Sequence, residues 1–291
     1  MRNFRKITAL LICVVLALTL TACNSDNGDK NGNGDKNGEV NDNGSVNGDE
    51  IEKETADYSV YTDFEGKKIG VPPGNLAEKV ITDDIKGIPV FYPDTSAALA
   101  DIRSGELDGF ITDLSIVRVL AGASENSDLK VIPVPSDIFS GGLGVFSSEQ
   151  DIVDSFNAFL GEIEEDGTLA ELQGRWLEAV PNADTPMPDI ALTGENGTIK
   201  IATTGAELPF SFTGTDGELK GYSVELALLF AESMGMDVEF ITMDFAELIS
   251  AVQNGEADLG IDAVTINEER AKLVTFTDSI YTDSLGIITL K

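Results

Sequence analysis

Any acid–base chemistry in this chain must rest on carboxylates and lysines. The 291 residues include no histidine, which removes the usual general base, the commonest metal ligand and the simplest pH switch. Both cysteines, Cys13 and Cys23, lie near the N-terminus, so the rest of the chain has no thiol nucleophile, disulfide or thiolate metal site. No cofactor motif and no metal-ligand spacing is read. The residues with chemistry to offer are charged side chains next to apolar runs. Asp113 ends GFITD, Glu207 precedes LPFSF, and Asp262 lies in DLGIDAV. Arg270 follows Thr265 by five residues in VTINEERAKLVTFTDSIY. A planar guanidinium pairs bidentately with a carboxylate, and charge-assisted bonds of that kind contribute roughly 1.5–3 kcal/mol each.

These side chains need a scaffold, and from Asp57 onward the pattern alternates strand with helix, as in an α/β fold with largely parallel sheets. Strands are expected at KKIGV (67–71), IPVFY (88–92), GFITD (109–113) and LKVIPV (129–134). A helix of about ten residues follows Pro72-Pro73-Gly74-Asn75, and Asp94 is placed to cap the helix TSAALADIRSG. Residues 147–180 read as two helices divided near Gly167, with Ile152, Phe156, Phe159, Leu160 and Ile163 at helical spacing and therefore core. A polar, proline-containing stretch, 181–196, interrupts the pattern. After it come the strand TIKIAT (198–203), a helix opened by Ser223 and closed by Gly235, the strand MDVEFITM (236–243), a helix over 244–255 and the strand DLGIDAV (258–264).

The two halves echo each other. SGELDGFITD (104–113) aligns with NGEADLGIDA (254–263), and GKKIGVPPG with GTIKIATTG. The glycine after each helix suits a left-handed cap. Two similar α/β lobes leave a cleft between them, and open α/β sheets bind ligands beyond the carboxyl ends of their strands.

The N-terminus reads as an address. Arg2, Arg5 and Lys6 precede an apolar run of about sixteen residues, the pattern of a secretory signal. Leu20-Thr21-Ala22-Cys23 resembles the bacterial lipoprotein processing box, which implies a signal peptide over 1–22 and a lipid anchor at Cys23 on the outer face of the cytoplasmic membrane. Residues 23–56, rich in Asn, Gly and Asp, read as a flexible tether. The repeated NGDKNG lacks the spaced ligands of a calcium loop. A net charge of −32 makes nucleic-acid binding improbable, because such a surface repels phosphate.

Residues 198–291 resemble the first lobe of the extracellular solute-binding proteins of amino-acid ABC importers. The resemblance is carried by LPFSF, GELKGY before SVELALLFAESMG, and NGEADLGIDAVTINEERAKLVTFTDSIYTDSLGIITL. Residues 64–180 resemble the second lobe and closing helices of the same family, through FEGKKIGVPPGN, ALADIRSGELDGFITD, GGLGVFSSE and FNAFLGEIEEDGTLAELQGRW. The implied fold is α/β, two-lobed and periplasmic-binding-protein-like (a Venus flytrap), circularly permuted so that lobe two comes first. Its expected parts are lobe two with hinge (57–146), closing helices packing on lobe one (147–180), a linker (181–197) and lobe one (198–291). A tandem gene that lost its outer halves is the alternative account of the order.

The resemblance also assigns roles. Arg270, after Thr265, would grip a ligand's α-carboxylate; the alternative is a surface arginine paired with Glu268 or Asp278. Asp113 would hold the α-ammonium, or else cap the following helix. Phe245 would pack on the ligand, or else be an ordinary core phenylalanine at a helix start, and Gly74 and Asn75 would offer backbone amides to the carboxylate, with Asn75 standing where the family has threonine. Two departures stand out: Thr204 and Glu207 replace an acid and a stacking aromatic, and Asp262, beside Ala263, replaces a small residue. The gain of acids favours a cationic or polar ligand; a non-amino-acid ligand, or a Glu207 that points to solvent, is the alternative. The implied function is lipid-anchored, extracytoplasmic solute binding for an ABC permease. A small dehydratase on the same fold and a non-transporting sensor module are the alternatives.

Overall fold

The computed structural model describes residues 57–291. The signal-like segment, Cys23 and the Asn/Gly/Asp-rich stretch lie outside the described residues. In chain order the first half comprises β1 (Lys68–Val71), α1 (Ala77–Val80), β2 (Ile88–Phe91), α2 (Thr95–Ser104), β3 (Gly109–Asp113), α3 (Leu114–Gly122), β4 (Leu129–Pro133), β5 (Ser140–Leu143) and β6 (Phe146–Ser147). Helices α4 (Gln150–Glu165) and α5 (Thr168–Gln173) follow. The second half runs β7 (Thr198–Thr203), β8 (Ala206–Glu207), β9 (Ser211–Thr213), β10 (Leu219–Lys220), α6 (Tyr222–Ser233), β11 (Asp237–Thr242), α7 (Leu248–Gln253), β12 (Leu259–Gly260), β13 (Thr275–Phe276) and β14 (Tyr281–Leu290).

Two sheets carry the two lobes, and they share one plan. The first is ordered β2-β1-β3-β14-β4 and the second β11-β7-β12-β6-β13. In each, three parallel strands are followed by an antiparallel fourth strand. That fourth strand comes from the other half of the chain: β14 enters the first lobe and β6 enters the second. The tail therefore departs from the expectation that 198–291 is all lobe one. Leu285, Ile287 and Ile288 on β14 are almost fully buried, and their apolar burial holds the strand in the first lobe's core.

The internal echo has a structural counterpart in hydrogen bonding. Asp108 accepts from the Lys68 amide at 2.9 Å, and Asp258 accepts from the Lys200 amide at 2.7 Å. Each aspartate amide donates in return to the same lysine's carbonyl. The preceding glycines, Gly105 and Gly255, adopt φ of 73° and 72°, the left-handed caps read from the sequence. Asp94 caps α2 as expected, accepting from the Ser96 amide. Ser223 does not open its helix. Gly221 is the cap of α6, and the Ser223 hydroxyl is buried with no hydrogen-bond partner among the described residues.

Helices α4 and α5 pack on the second lobe, where Phe156 and Phe159 meet Phe230 of α6. Glu225, only 4% exposed, ties them down: it accepts from Trp176 Nε1 at 2.6 Å and pairs with Arg175. Residues 181–197 lie along the same lobe, with Asn196 and Thr193 bonded to the carbonyls of Met234 and Gly235. Between the lobes, β5 pairs with the first part of β14 as an antiparallel ribbon, Leu143 opposite Tyr281 and Gly141 opposite Asp283. A Cβ on Gly141 would come within 2.4 Å of the Thr265 methyl, so glycine lets this ribbon lie against the second lobe.

Candidate functional site

Strand ends and the loops after them deliver the singled-out residues to the space between the lobes. Asp113 is the last residue of β3, 4% exposed, with the Thr112 hydroxyl at 3.4 Å from its carboxylate. It makes no side-chain cap to α3. Burial and the neighbouring Asp283 carboxylate push Asp113 up to about 7, against weaker pulls from Asn75 and Thr112. Asp283 itself accepts from the Ser115 hydroxyl at 2.5 Å, and burial raises it above the ordinary carboxylate range.

Arg270 reaches across from the second lobe. Its Nη1 donates to the Thr265 carbonyl at 2.8 Å and its Nη2 to the Gly74 carbonyl of the first lobe at 3.0 Å. The guanidinium carbon lies 5.6 Å from the centre of the Phe245 ring, within cation–π range. Among the described residues Arg270 forms no ion pair with Glu268 or Asp278. Burial disfavours its charge, and Asp113 opposes that effect. The charge that acts on Asp113 is chiefly that of Asp283, while Asp113 in turn favours the charged form of Arg270.

The β1–α1 loop uses its groups differently from expectation. The Gly74 carbonyl, not an amide, faces Arg270. The Asn75 amide closes a turn on Pro72, and the Asn75 side chain caps the Ala77 amide at 2.9 Å. The Asn75 Nδ2 also points at the Thr112 hydroxyl, 3.4 Å away. Asn75 thereby braces the loop against β3.

Asp262 is fully buried and fully engaged. It accepts from the Thr204 amide at 2.9 Å, the Thr204 hydroxyl at 2.7 Å, the Thr203 hydroxyl at 3.1 Å and the Ala263 amide at 2.9 Å. Burial raises its pKa despite these bonds. Glu207 ends β8 in a half-exposed position, and its pKa is driven well above the ordinary value by burial, then by Asp262 and Asp113. A cavity of about 530 Å³ lies between Pro72, Pro73 and Pro93 of the first lobe and Thr204, Glu207 and Phe245 of the second. A second, of about 420 Å³, runs from Thr112 to Glu207. A hollow of about 150 Å³ is lined by Gly74, Phe245, Val264 and Arg270. Among the described residues no group of three or more Asp or Glu is placed to hold a metal ion.

Of the singled-out residues, Gly74, Glu207, Phe245 and Arg270 line these three cavities, whereas Asp113, Asn75, Asp262, Ala263 and Thr265 do not. Asp283, Ser115 and Thr112 were not singled out. For Asp283 the signal was its place in alternation with Tyr281, Leu285 and Ile287, which puts it on the core face of its strand; Thr112 and Ser115 carried no such signal.

Comparison with known proteins bears on the second lobe most directly. The family described as bacterial extracellular solute-binding proteins, family 3, matches residues 199–291. The matched segment, to which the resemblance is confined, holds Arg270, Thr265, Phe245, Glu207, Ala263 and Asp262, whereas Asp113, Gly74 and Asn75 lie outside it. The arginine-binding extracellular protein ArtP of Bacillus subtilis is 34% identical over 99 residues, covering 33% of this chain and 38% of ArtP. A cyclohexadienyl dehydratase of Pseudomonas aeruginosa is 29% identical over 96 residues, 33% of this chain and 36% of the enzyme. The virulence sensor protein BvgS of Bordetella pertussis is 27% identical over 241 residues, 75% of this chain and 19% of the sensor. A match of that breadth takes in both halves in the order found here. The chain thus spans well under half the length of each of these relatives.

Proposed function

We propose that this chain is an extracytoplasmic solute-binding module that closes its interlobe cleft on an α-amino acid. One observation carries the reading: Arg270 of the second lobe reaches the Gly74 carbonyl of the first and feels the opposite charge of Asp113, at the end of β3 in that lobe. A ligand carboxylate would replace the Gly74 carbonyl as acceptor, exchanging a neutral partner for a charged one. A ligand ammonium would neutralise Asp113, which burial and Asp283 leave short of positive charge. Phe245 offers its ring to the bound solute, and Thr265 fixes the guanidinium through its carbonyl. The cavity of about 530 Å³ falls within the usual range of small-molecule sites, roughly 300–1,000 Å³. Binding works by hinge closure about the β5–β14 ribbon, which the ligand favours by touching both lobes at once.

Delivery to an ABC permease from a lipid anchor at Cys23 completes this reading, and the resemblances to solute-binding proteins and to the lipoprotein box support it. The lobe order is read as a circular permutation, supported by the exchange of β6 and β14 between sheets of one plan. Asp262 is held by four hydrogen bonds, so turnover would have to rest on Asp113 or Glu207. Isothermal titration against the protein amino acids tests the site. Loss of two charge-assisted bonds in Arg270→Ala should weaken the best ligand at least about a hundredfold. Unchanged affinity in that variant removes Arg270 from the site, and turnover of prephenate-like acids would overturn the binding-only reading.

A second reading, a sensor module, is favoured by the match to BvgS across both halves. Uptake of labelled ligand that depends on this chain supports import. Ligand binding without uptake supports the sensor.

A further inference from the structure

The cleft contains more acid than an α-amino group can answer. Asp113, Glu207, Asp262 and Asp283 interact around it, with Arg270 the cation that reaches Asp113. Three of the four acids are accounted for. Asp262 is saturated by Thr203, Thr204 and Ala263. Asp283 is held by Ser115 and by the Ser284 amide. Asp113 is the partner proposed for the ligand's α-ammonium. Glu207 differs: its carboxylate has no hydrogen bond or ion pair among the described residues.

Its backbone is held in a hairpin. Glu207 pairs with Ser211 across the β8–β9 hairpin, and its carbonyl accepts from the Phe210 amide at 2.8 Å. The side chain borders both large cavities, including the one of about 420 Å³ that begins at Thr112 beside Asp113. An unpaired carboxylate in such surroundings is costly to ionise, and the fields of Asp262 and Asp113 raise that cost. A cation brought by the ligand would offset it.

On the reading of the cleft given above, we infer that Glu207 forms a second cation subsite, so that the solute is a basic α-amino acid whose guanidinium or ammonium side chain lies on Glu207. The α-carbon groups are held between Arg270 and Asp113, and the side chain extends through the cavity that joins Thr112 to Glu207. Glu207 then selects by charge where a stacking aromatic would select by shape.

The test compares shape-matched pairs on the full chain by calorimetry: L-arginine against L-citrulline, and L-lysine against L-norleucine. A buried charge-assisted contact should favour the cationic member of each pair by at least about tenfold. In Glu207→Gln that preference should fall below about threefold while citrulline affinity is retained, which also shows that the variant folds. Equal binding of arginine and citrulline by the unaltered protein, or a preference that survives in Glu207→Gln, overturns the subsite and leaves the Arg270–Asp113 reading standing. Failure of all four compounds to bind overturns the subsite, and failure of every protein amino acid overturns the Arg270–Asp113 reading as well.

Discussion

At the scale of single residues, the cleft is governed by carboxylates whose pKa values burial raises. Asp113 stands at about 7 against an ordinary value of 3.8, facing Asp283 on β14, Asn75 on the β1–α1 loop, Thr112 on its own strand and, across the cleft, Glu207 and Arg270. Between those two values the folded, ligand-free protein keeps a proton that the unfolded chain has released. This contribution to stability is therefore complete below about pH 4 and is lost as pH rises through about 7. Glu207, Asp262 and Asp283 shift in the same direction. The ligand-free protein should melt at a higher temperature at pH 5 than at pH 8, and Asp113→Asn should flatten the difference. A higher melting temperature at pH 8 would contradict the assignment. An ammonium group favours ionised Asp113, so ligand affinity should run the other way, rising from pH 5 and levelling off above about 7. Titration calorimetry across that range reads the slope directly.

At the scale of elements, two glycines separate backbone need from site geometry. Gly255, at φ 72°, caps α7 with open space where a Cβ would lie. Gly255→Ala should cost about 1–2 kcal/mol of stability through the left-handed backbone alone and leave ligand affinity unchanged. In Gly141→Ala the new methyl would meet Thr265, whose carbonyl holds Arg270, so both stability and affinity should fall. Chemical denaturation paired with ligand titration distinguishes the two, and equal effects on binding would argue against the ribbon's role. Elements such as α2, with Asp94 before it and Gly105 after it, were legible in the sequence because cap, apolar period and stop agree. The strand DLGIDAV was read too long, since pairing beyond Gly260 yields to the turn in which Asp262 gathers Thr203, Thr204 and Ala263. Arg270 and Asp113 were legible as chemistry. The role of Asp283 was not, because its neighbour across space, Ser115, is 168 positions away along the chain.

At the scale of the whole molecule, the question is whether one chain supplies both walls of its cleft. Within the one chain described, β6 and β14 are exchanged between two sheets of the same plan and Arg270 bonds to Gly74 between lobes. The geometry provides a direct probe. A Cβ built on Gly74 would lie 4.0 Å from the Cβ of Ala246 on the opposite lobe, within the span of a disulfide. With no native cysteine beyond Cys23, a Gly74→Cys, Ala246→Cys pair would meet no competing thiol in either lobe. Oxidation should give a monomeric species of altered gel mobility in which bound solute exchanges slowly, and reduction should restore rapid exchange. A disulfide-linked dimer would instead mean that the lobes pair between chains. The same pair of cysteines thus decides at once which chain closes the cleft and whether closure governs release.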